Sequence, residues 1–211
     1  MSEQDLTAIR DRIVACALQE AAFDGWSMQT FEAAAERAGY TRHMAVAAFP
    51  GGLDEAMAHL ADYADRQMLD KLASIKPQDL RVRDRVRVAV LTRLQVLNPH
   101  KEAVSRAVSY YAIPPRQPRA ARLVWQTADR IWNWAGDTSR DYNYYTKRGL
   151  LCGVLTSTTL AWLGDTDVDM AETEAFLDRR IDNVLKLGGT IGKTIGALAD
   201  KVPGPLKRQG I

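Results

Sequence analysis

Residues 31–60 read FEAAAERAGYTRHMAVAAFPGGLDEAMAHL, and the fold turns on how this stretch is punctuated. Ser27 stands just upstream as a cap for a helix running to about Ala38, and Gly39 stops that helix. Thr41 is the next cap candidate, for a short helix ending at Phe49. Pro50, Gly51 and Gly52 then make a turn. From 53 to 72 a long helix follows, with Leu60, Ala64 and Met68 on one side. Before the stretch, Leu6, Ile9, Ile13 and Ala17 recur at spacings of three and four over 6–23, one face of an amphipathic helix that Gly25 breaks. Three short helices with tight turns, followed by a long one, predict a helix-turn-helix head (1–52) joined to a helical body (53–188).

The body continues in the same manner. Residues 81–90 read RVRDRVRVAV, whose alternation imitates a strand. Val86, Val90, Leu94 and Leu97 nevertheless keep helical spacing, and no other segment could pair with a lone strand, so helix is expected. The arginines read as a solvated face, with a phosphate or acidic-partner surface as the alternative. Asn98 and Pro99 end this helix. A short one covers 101–111, and Ile113, Pro114, Pro115 and Pro118 form a rigid break. A tryptophan-rich helix spans 119–135, another ends near Leu163, and 172–187 is amphipathic with Phe176, Ile181, Val184 and Leu185 inward.

Composition narrows the function classes. The chain has 211 residues, 46% hydrophobic and 26% charged, an ordinary globular balance. Lys and Arg number 28 against 26 Asp and Glu, a net charge of +2 without the basic excess of a dedicated nucleic-acid binder. Cys16 and Cys152 read as reduced thiols. The start, MSEQDLTAIRDR, has the features of neither a signal nor a transit peptide. The most apolar stretch, 150–163, is interrupted by Thr156, Ser157, Thr158 and Thr159 and falls short of the ~18 apolar residues of a membrane span. Those hydroxyls can bond a ligand head or the carbonyl one turn back.

No catalytic constellation stands out. His43, His59 and His100 are isolated, and neither HExxH, a cysteine pair at metal spacing, nor a GxSxG elbow occurs. Residues 189–194 read GTIGKT, but a phosphate loop needs glycine five residues before Gly192, where Leu187 stands, and a preceding strand rather than a helix. The tail, 189–211, is different in kind. Ile191, Ile195, Leu198 and Val202 recur at intervals of four and three, and from Lys186 onward five basic residues face one acidic residue. An interfacial membrane helix has this pattern, and so does a helix packed in a dimer.

Two resemblances extend this reading. The quoted head resembles the DNA-binding head of the TetR regulators: Ala33 and Ala35 take the small packed positions, Ala38-Gly39 the turn, Thr41 the start of the recognition helix and Phe49 its aromatic end. That family usually has Tyr where Val46 stands and a phosphate-contacting Lys where Gly52 stands. Arg42 and His43 are the only basic candidates in the recognition segment, too few for a binding mode driven by phosphate neutralisation. A ligand-responsive TetR-type regulator is therefore the rival reading.

The second half, IWNWAGDTSRDYNYYTKRGLLCGVLTSTTLAWLGD (131–165) continuing in FLDRRIDNVLKLG (176–188), closely resembles the TetR-like, lipid-binding accessory proteins of ubiquinone biosynthesis. The most specific pieces are Trp132, Ala135-Gly136-Asp137, Asp141, Asn143 and Tyr145-Thr146-Lys147-Arg148. The resemblance runs from the first helix to about Ile195. It implies an all-α, TetR-like homodimer that binds no nucleic acid, catalyses nothing and needs no cofactor or metal. An apolar cavity in the body would accept an isoprenoid lipid or phospholipid, and helix phase offers Leu94, Leu97, Leu151, Leu155 and Leu160 as its lining. An exposed patch would dock the hydroxylase that acts on demethoxyubiquinone; by alignment it falls on Asp129, Ile131, Trp134, Tyr144 and Tyr145. The final helix, through Ile191, Ile195, Leu198 and Val202, would attach the protein peripherally to a bacterial inner membrane from the cytoplasmic side. Six aromatics at 125, 132, 134, 142, 144 and 145 agree with an interface in this region, although some must pack in the core.

Overall fold

The computed structural model describes residues 2–199, with side chains through Lys186. Among the described residues the secondary structure is entirely helical: nine α-helices joined by short turns. The head holds α1 (Glu3–Asp24), α2 (Met28–Arg37) and α3 (Arg42–Ala48). Helix α1 opens on a reciprocal cap, with the Asp5 amide donating to the Ser2 hydroxyl at 3.1 Å and the Ser2 amide to the Asp5 carboxylate at 3.0 Å. The Ser27 hydroxyl accepts from the Thr30 amide at 3.1 Å and so caps α2, as expected. Thr41 stands at the start of α3 without a side-chain cap bond. Gly25 and Gly39 leave their helices at φ +74° and +85°, a region that only glycine enters freely.

The head core is dry and aromatic. Phe31 and Phe49 are fully buried and meet edge to face, ring centroids 5.5 Å apart. Ala34, Ala35, Ala45 and Ala48 are wholly buried, and their small side chains let α2 and α3 close on α1. The packed small pair is therefore Ala34 and Ala35, one position off the expected Ala33 and Ala35; Ala33 is half-buried. This core crosses the expected boundary at residue 52. It includes Met57 and Leu60 of α4 (Leu53–Leu72) and Ala103 of α6 (Lys101–Tyr111), and the Trp26 indole donates to the Ala103 carbonyl at 2.8 Å. His59 meets Asp11 at 2.7 Å, while Arg66 bonds both Asp11 oxygens at 2.8 and 2.6 Å, so the one histidine with a carboxylate partner is a staple between α1 and α4.

The body adds α5 (Val82–Leu97), α7 (Gln117–Trp134), α8 (Tyr142–Gly164) and α9 (Ala171–Ala199). Its core gathers Met68, Leu72, Val90, Leu94, Ile131, Leu151, Trp162 and Leu177, all at most 2% exposed. The Trp162 indole finds Asn98 at 3.1 Å. The α5 arginines are not a solvated face. Arg83 pairs with Asp182 at 2.5 Å, and Arg87 with Glu174 and Asp178 at 2.8 and 2.9 Å, which lace α5 to α9. Each pair is roughly a third exposed, so each contributes only about 0–1 kcal/mol and mainly sets register. Arg85 donates to the carbonyls of Leu80 and Ala135 instead, at 2.9 and 2.7 Å.

Helix α9 passes through position 189 without a break, so the expected start of a separate tail lies inside a helix. The GTIGKT segment is helical too, which removes it as a phosphate loop. Ile191, Ile195 and Leu198 fall in α9 with side chains outside the described residues, and Val202 lies outside them altogether. Among the described residues no helix is long and apolar enough to cross a membrane.

Candidate functional site

Helices α6, α7 and α8 do not close on one another completely. Between them lies a cavity of about 450 Å³, within the range of small-molecule sites. Val104, Ala107 and Val108 of α6 form one wall, Leu123 and Val124 of α7 a second, and Leu155 of α8 a third. Ala61 of α4, Ala112 at the end of α6 and Ala120 of α7 line it as well, and these truncated side chains, with Ala107, are what leave the space open. Leu160 is 54% exposed and also borders the cavity, so the cavity reaches the surface on the α8 side.

Two of the five expected lining leucines, Leu155 and Leu160, border this cavity. Leu94 and Leu151 do not: both are tightly packed in the body core, Leu94 on α5 and Leu151 on α8. Leu97 borders a separate, smaller space of about 170 Å³ beside Leu18, Leu60 and His100. Helix phase marks these leucines as inward, but the body has two inner sides, one filled and one hollow. The wall from α6 was missed; its signal was the run of small and β-branched residues at 104, 107 and 108.

The cavity continues outward as an apolar trough along α7 and α8. The two share Ala120, Val124, Thr156 and Leu160, and the trough runs on to Trp125, Gly149, Cys152 and Gly153. Within the threonine run Ser157 makes the expected bond back to the Gly153 carbonyl, at 2.7 Å, whereas Thr156 and Thr159 line the cavity. Thr158 is fully buried, and its hydroxyl has no hydrogen-bond partner among the described residues.

At its far end the trough meets a polar hub built on Arg148. Trp125 and Tyr145 lie 6.3 Å apart between ring centroids, and Tyr145 packs edge-on against Tyr144. Arg148, its side chain 1% exposed, donates to Asp129 at 2.6 Å and to Asp137 at 3.0 Å and lies over the Tyr144 ring at 3.5 Å. Lys147 meets Asp137 at 2.6 Å, and the Trp132 indole donates to the Lys147 carbonyl at 3.1 Å. Burial acts to raise the Asp137 carboxyl, but hydrogen bonds from Lys147, Ser139 and Arg148 outweigh it and hold it at about 2. Gly136, at φ +81°, makes the turn that brings Asp137 back over α8. Trp132, Asp137, Lys147 and Arg148, among the most specific words of the sequence, are thus mutual partners.

The five expected docking residues are spread over different depths. Tyr145 is 64% exposed. Asp129 and Tyr144 are half-buried and already engaged, with the Tyr144 hydroxyl donating to Asp129 at 3.1 Å. Trp134 is half-buried against the body core. Ile131 is wholly buried and supports the patch from beneath, because one turn of α7 carries both an inward and an outward face. Tyr142, 60% exposed, joins the patch although alignment did not place it there.

The head presents few free cations. Arg42 pairs with Glu36 at 3.0 Å and Arg37 with Glu20 at 2.8 Å. Gly52, in the place of the expected lysine, sits at φ +71° at the start of α4. The backbone there has taken a glycine conformation, so a lysine at this position would be strained.

The COQ9 family matches residues 117–188, which cover the trough and the Arg148 hub. "Ubiquinone biosynthesis protein COQ9, mitochondrial" from Rattus norvegicus is 30% identical over 189 residues, 86% of this chain and 60% of its own length. The protein of the same name from Homo sapiens is 28% identical, over 86% of this chain and 59% of its own. The chain spans about 60% of the length of these curated relatives. Among solved structures, a TetR transcriptional regulator from Nitrosomonas europaea superposes with a TM-score of 0.67 at 20% identity, covering 84% of this chain and 98% of that one. In architecture it is TetR-like, and in sequence the chain is similar to the COQ9 proteins, whose family matches its residues 117–188.

Proposed function

We propose that this chain is a non-enzymatic lipid-binding protein of ubiquinone biosynthesis, which takes the chain of an isoprenoid or phospholipid into the α6–α7–α8 cavity and presents the molecule to a membrane-associated hydroxylase. The observation that carries the reading is the cavity itself, apolar on nearly every side and continuous with a trough that ends at exposed aromatics. A prenylated substrate partitions into lipid and seldom reaches a soluble active site. Enclosing part of its tail gives about 0.8 kcal/mol per buried CH₂ without any polar contact. Position supports presentation: Trp125 and Tyr145 join the trough to the face that carries Tyr142 and Tyr144, so in this reading ligand and partner share the same two helices. In this reading the C-terminal segment, through Ile191, Ile195, Leu198 and Val202, anchors the protein at the bacterial inner membrane, two copies pair, and the head is a structural base that grips no duplex.

Native mass spectrometry of the purified protein, coupled to lipid extraction, tests it. A copurified isoprenoid or phospholipid is the expected result. An empty protein that shifts a palindromic duplex in a salt-sensitive manner would instead establish the regulator reading.

A further inference from the structure

Apart from the hydroxyls of Tyr111, Thr127, Thr156 and Thr159, the cavity lining is apolar except at one point. Among its lining residues Arg93, on α5, is the single charged side chain. Its Nε donates to Asp65 at 2.8 Å, and this is the one partner recorded for it among the described residues. Asp65 is 2% exposed, whereas the Arg93 side chain keeps 16%. The guanidinium is therefore anchored at its inner edge and reachable beyond it. We propose that Arg93 is the head-group contact of this cavity, and that it selects a ligand whose head offers neutral oxygen acceptors, a quinone or an aryl ether, over one with an anionic head. The proposal rests on the lipid-binding reading above and specifies the ligand class for that same cavity.

Two physical points favour a neutral acceptor. Guanidinium only donates hydrogen bonds, and its planar fork leaves two terminal nitrogens once Nε is committed. The charge around it is also already balanced. Asp65 is shared with Arg130 at 3.3 Å; Arg130 pairs with Asp62, Asp62 with Arg66 at 2.7 Å, and Arg66 with Asp11 at 2.6 Å. Three arginines thus face three carboxylates, so Arg93 has donors to give but no charge to spare. A phosphate or carboxylate head would enter a low-dielectric site without a counter-ion, a heavy desolvation penalty. Of the lining hydroxyls, Thr127 gives its one hydrogen to Asp65 at 2.9 Å and keeps only lone pairs, which disfavour an anionic head. Burial pushes the Tyr111 hydroxyl up to about 12, so it stays protonated and able to donate.

Three probes with one chain separate the possibilities: a decyl-substituted benzoquinone, decylbenzene and decyl phosphate, competed for the full chain from one detergent and read by native mass spectrometry. The wild type is expected to prefer the quinone over decylbenzene by on the order of tenfold, the worth of a charge-assisted hydrogen bond, and to take decyl phosphate less well than the quinone. In Arg93→Met the quinone falls to the level of decylbenzene, whose own binding is unchanged. Should the single variant fold poorly, Asp65→Leu/Arg93→Met withdraws both charges together and gives the same loss of preference. Equal binding of quinone and decylbenzene by the wild type overturns the proposal and leaves the cavity reading intact. So does decyl phosphate as the tightest probe, or a preference that survives both variants. If none of the three binds, the lipid-binding reading fails with it.

Discussion

Head and body are made of similar amphipathic helices, yet they bury apolar side chains to different ends. In the head, Phe31, Phe49 and four alanines fill the space between α1, α2 and α3 completely, and Arg37 and Arg42 are matched by carboxylates. In the body the α5–α9 side is equally full, while the α6–α7–α8 side keeps about 450 Å³ open. An unfilled apolar volume forfeits dispersion and burial energy that a few larger side chains would recover. The contrast teaches that the head is built for stability, and that the body gives up some stability to hold a hollow.

Substitutions at the two places should therefore separate stability from binding. The largest effect belongs to the head. Phe31→Ala is expected to destabilise by about 3–5 kcal/mol in urea titration while leaving ligand binding unchanged at temperatures where the variant is folded. An equal destabilisation from enlarging the α6–α8 wall would erase the contrast.

Next comes the hub at the end of the trough. Arg148→Met strips one of two cationic partners from the Asp137 carboxylate, 4% exposed, while Lys147 remains at 2.6 Å, and should cost about 2–3 kcal/mol. Acid tests the same hub. Because the Asp137 value is depressed in the folded state, its contribution is complete above its ordinary 3.8 and is lost as pH falls through about 2. The expected loss is about 2 kcal/mol over that window. An Asp137→Asn variant should show no such step when its urea midpoint is followed with pH.

Filling the hollow should do the opposite. Val124→Phe is expected to change stability by less than about 1.5 kcal/mol, since it enters open space. It should weaken ligand binding by on the order of tenfold, the worth of about two buried methylenes. The smallest effect is in the head surface: Glu36→Gln releases Arg42 at a cost under about 1 kcal/mol. It should produce no salt-dependent duplex binding in a gel-shift assay, because Gly52 still stands where a phosphate contact is expected.

How much of this the sequence disclosed follows from how local each cause is. The helix ends of the head were readable because Gly25, Gly39 and Gly52 each sit at positive φ, a requirement written in one residue. The helical reading of the alternating 81–90 segment held because Val86, Val90, Leu94 and Leu97 needed a common face. The fate of its arginines was not readable: their partners on α9 lie about ninety residues away, and nothing local distinguishes a paired from a solvated cation. The cavity lining was only half readable for a related reason. Periodicity says that Leu94, Leu151 and Leu155 point inward, but only the packing of α6 against α7 and α8 says which interior is hollow. Ile131 shows the same limit, since alignment carries a residue to a surface without carrying its depth.

The central claim concerns the place where an apolar chain lies, and photo-crosslinking addresses it most directly. A prenyl or alkyl probe with a diazirine near the middle of its chain is equilibrated with the 211-residue chain, irradiated, and mapped by peptide sequencing. The account predicts adducts on α6, α7 and α8, at Val104, Val108, Leu123, Val124 or Leu155, and their loss in Val124→Phe. Adducts confined to the outer surface, or scattered without regard to that substitution, would contradict it.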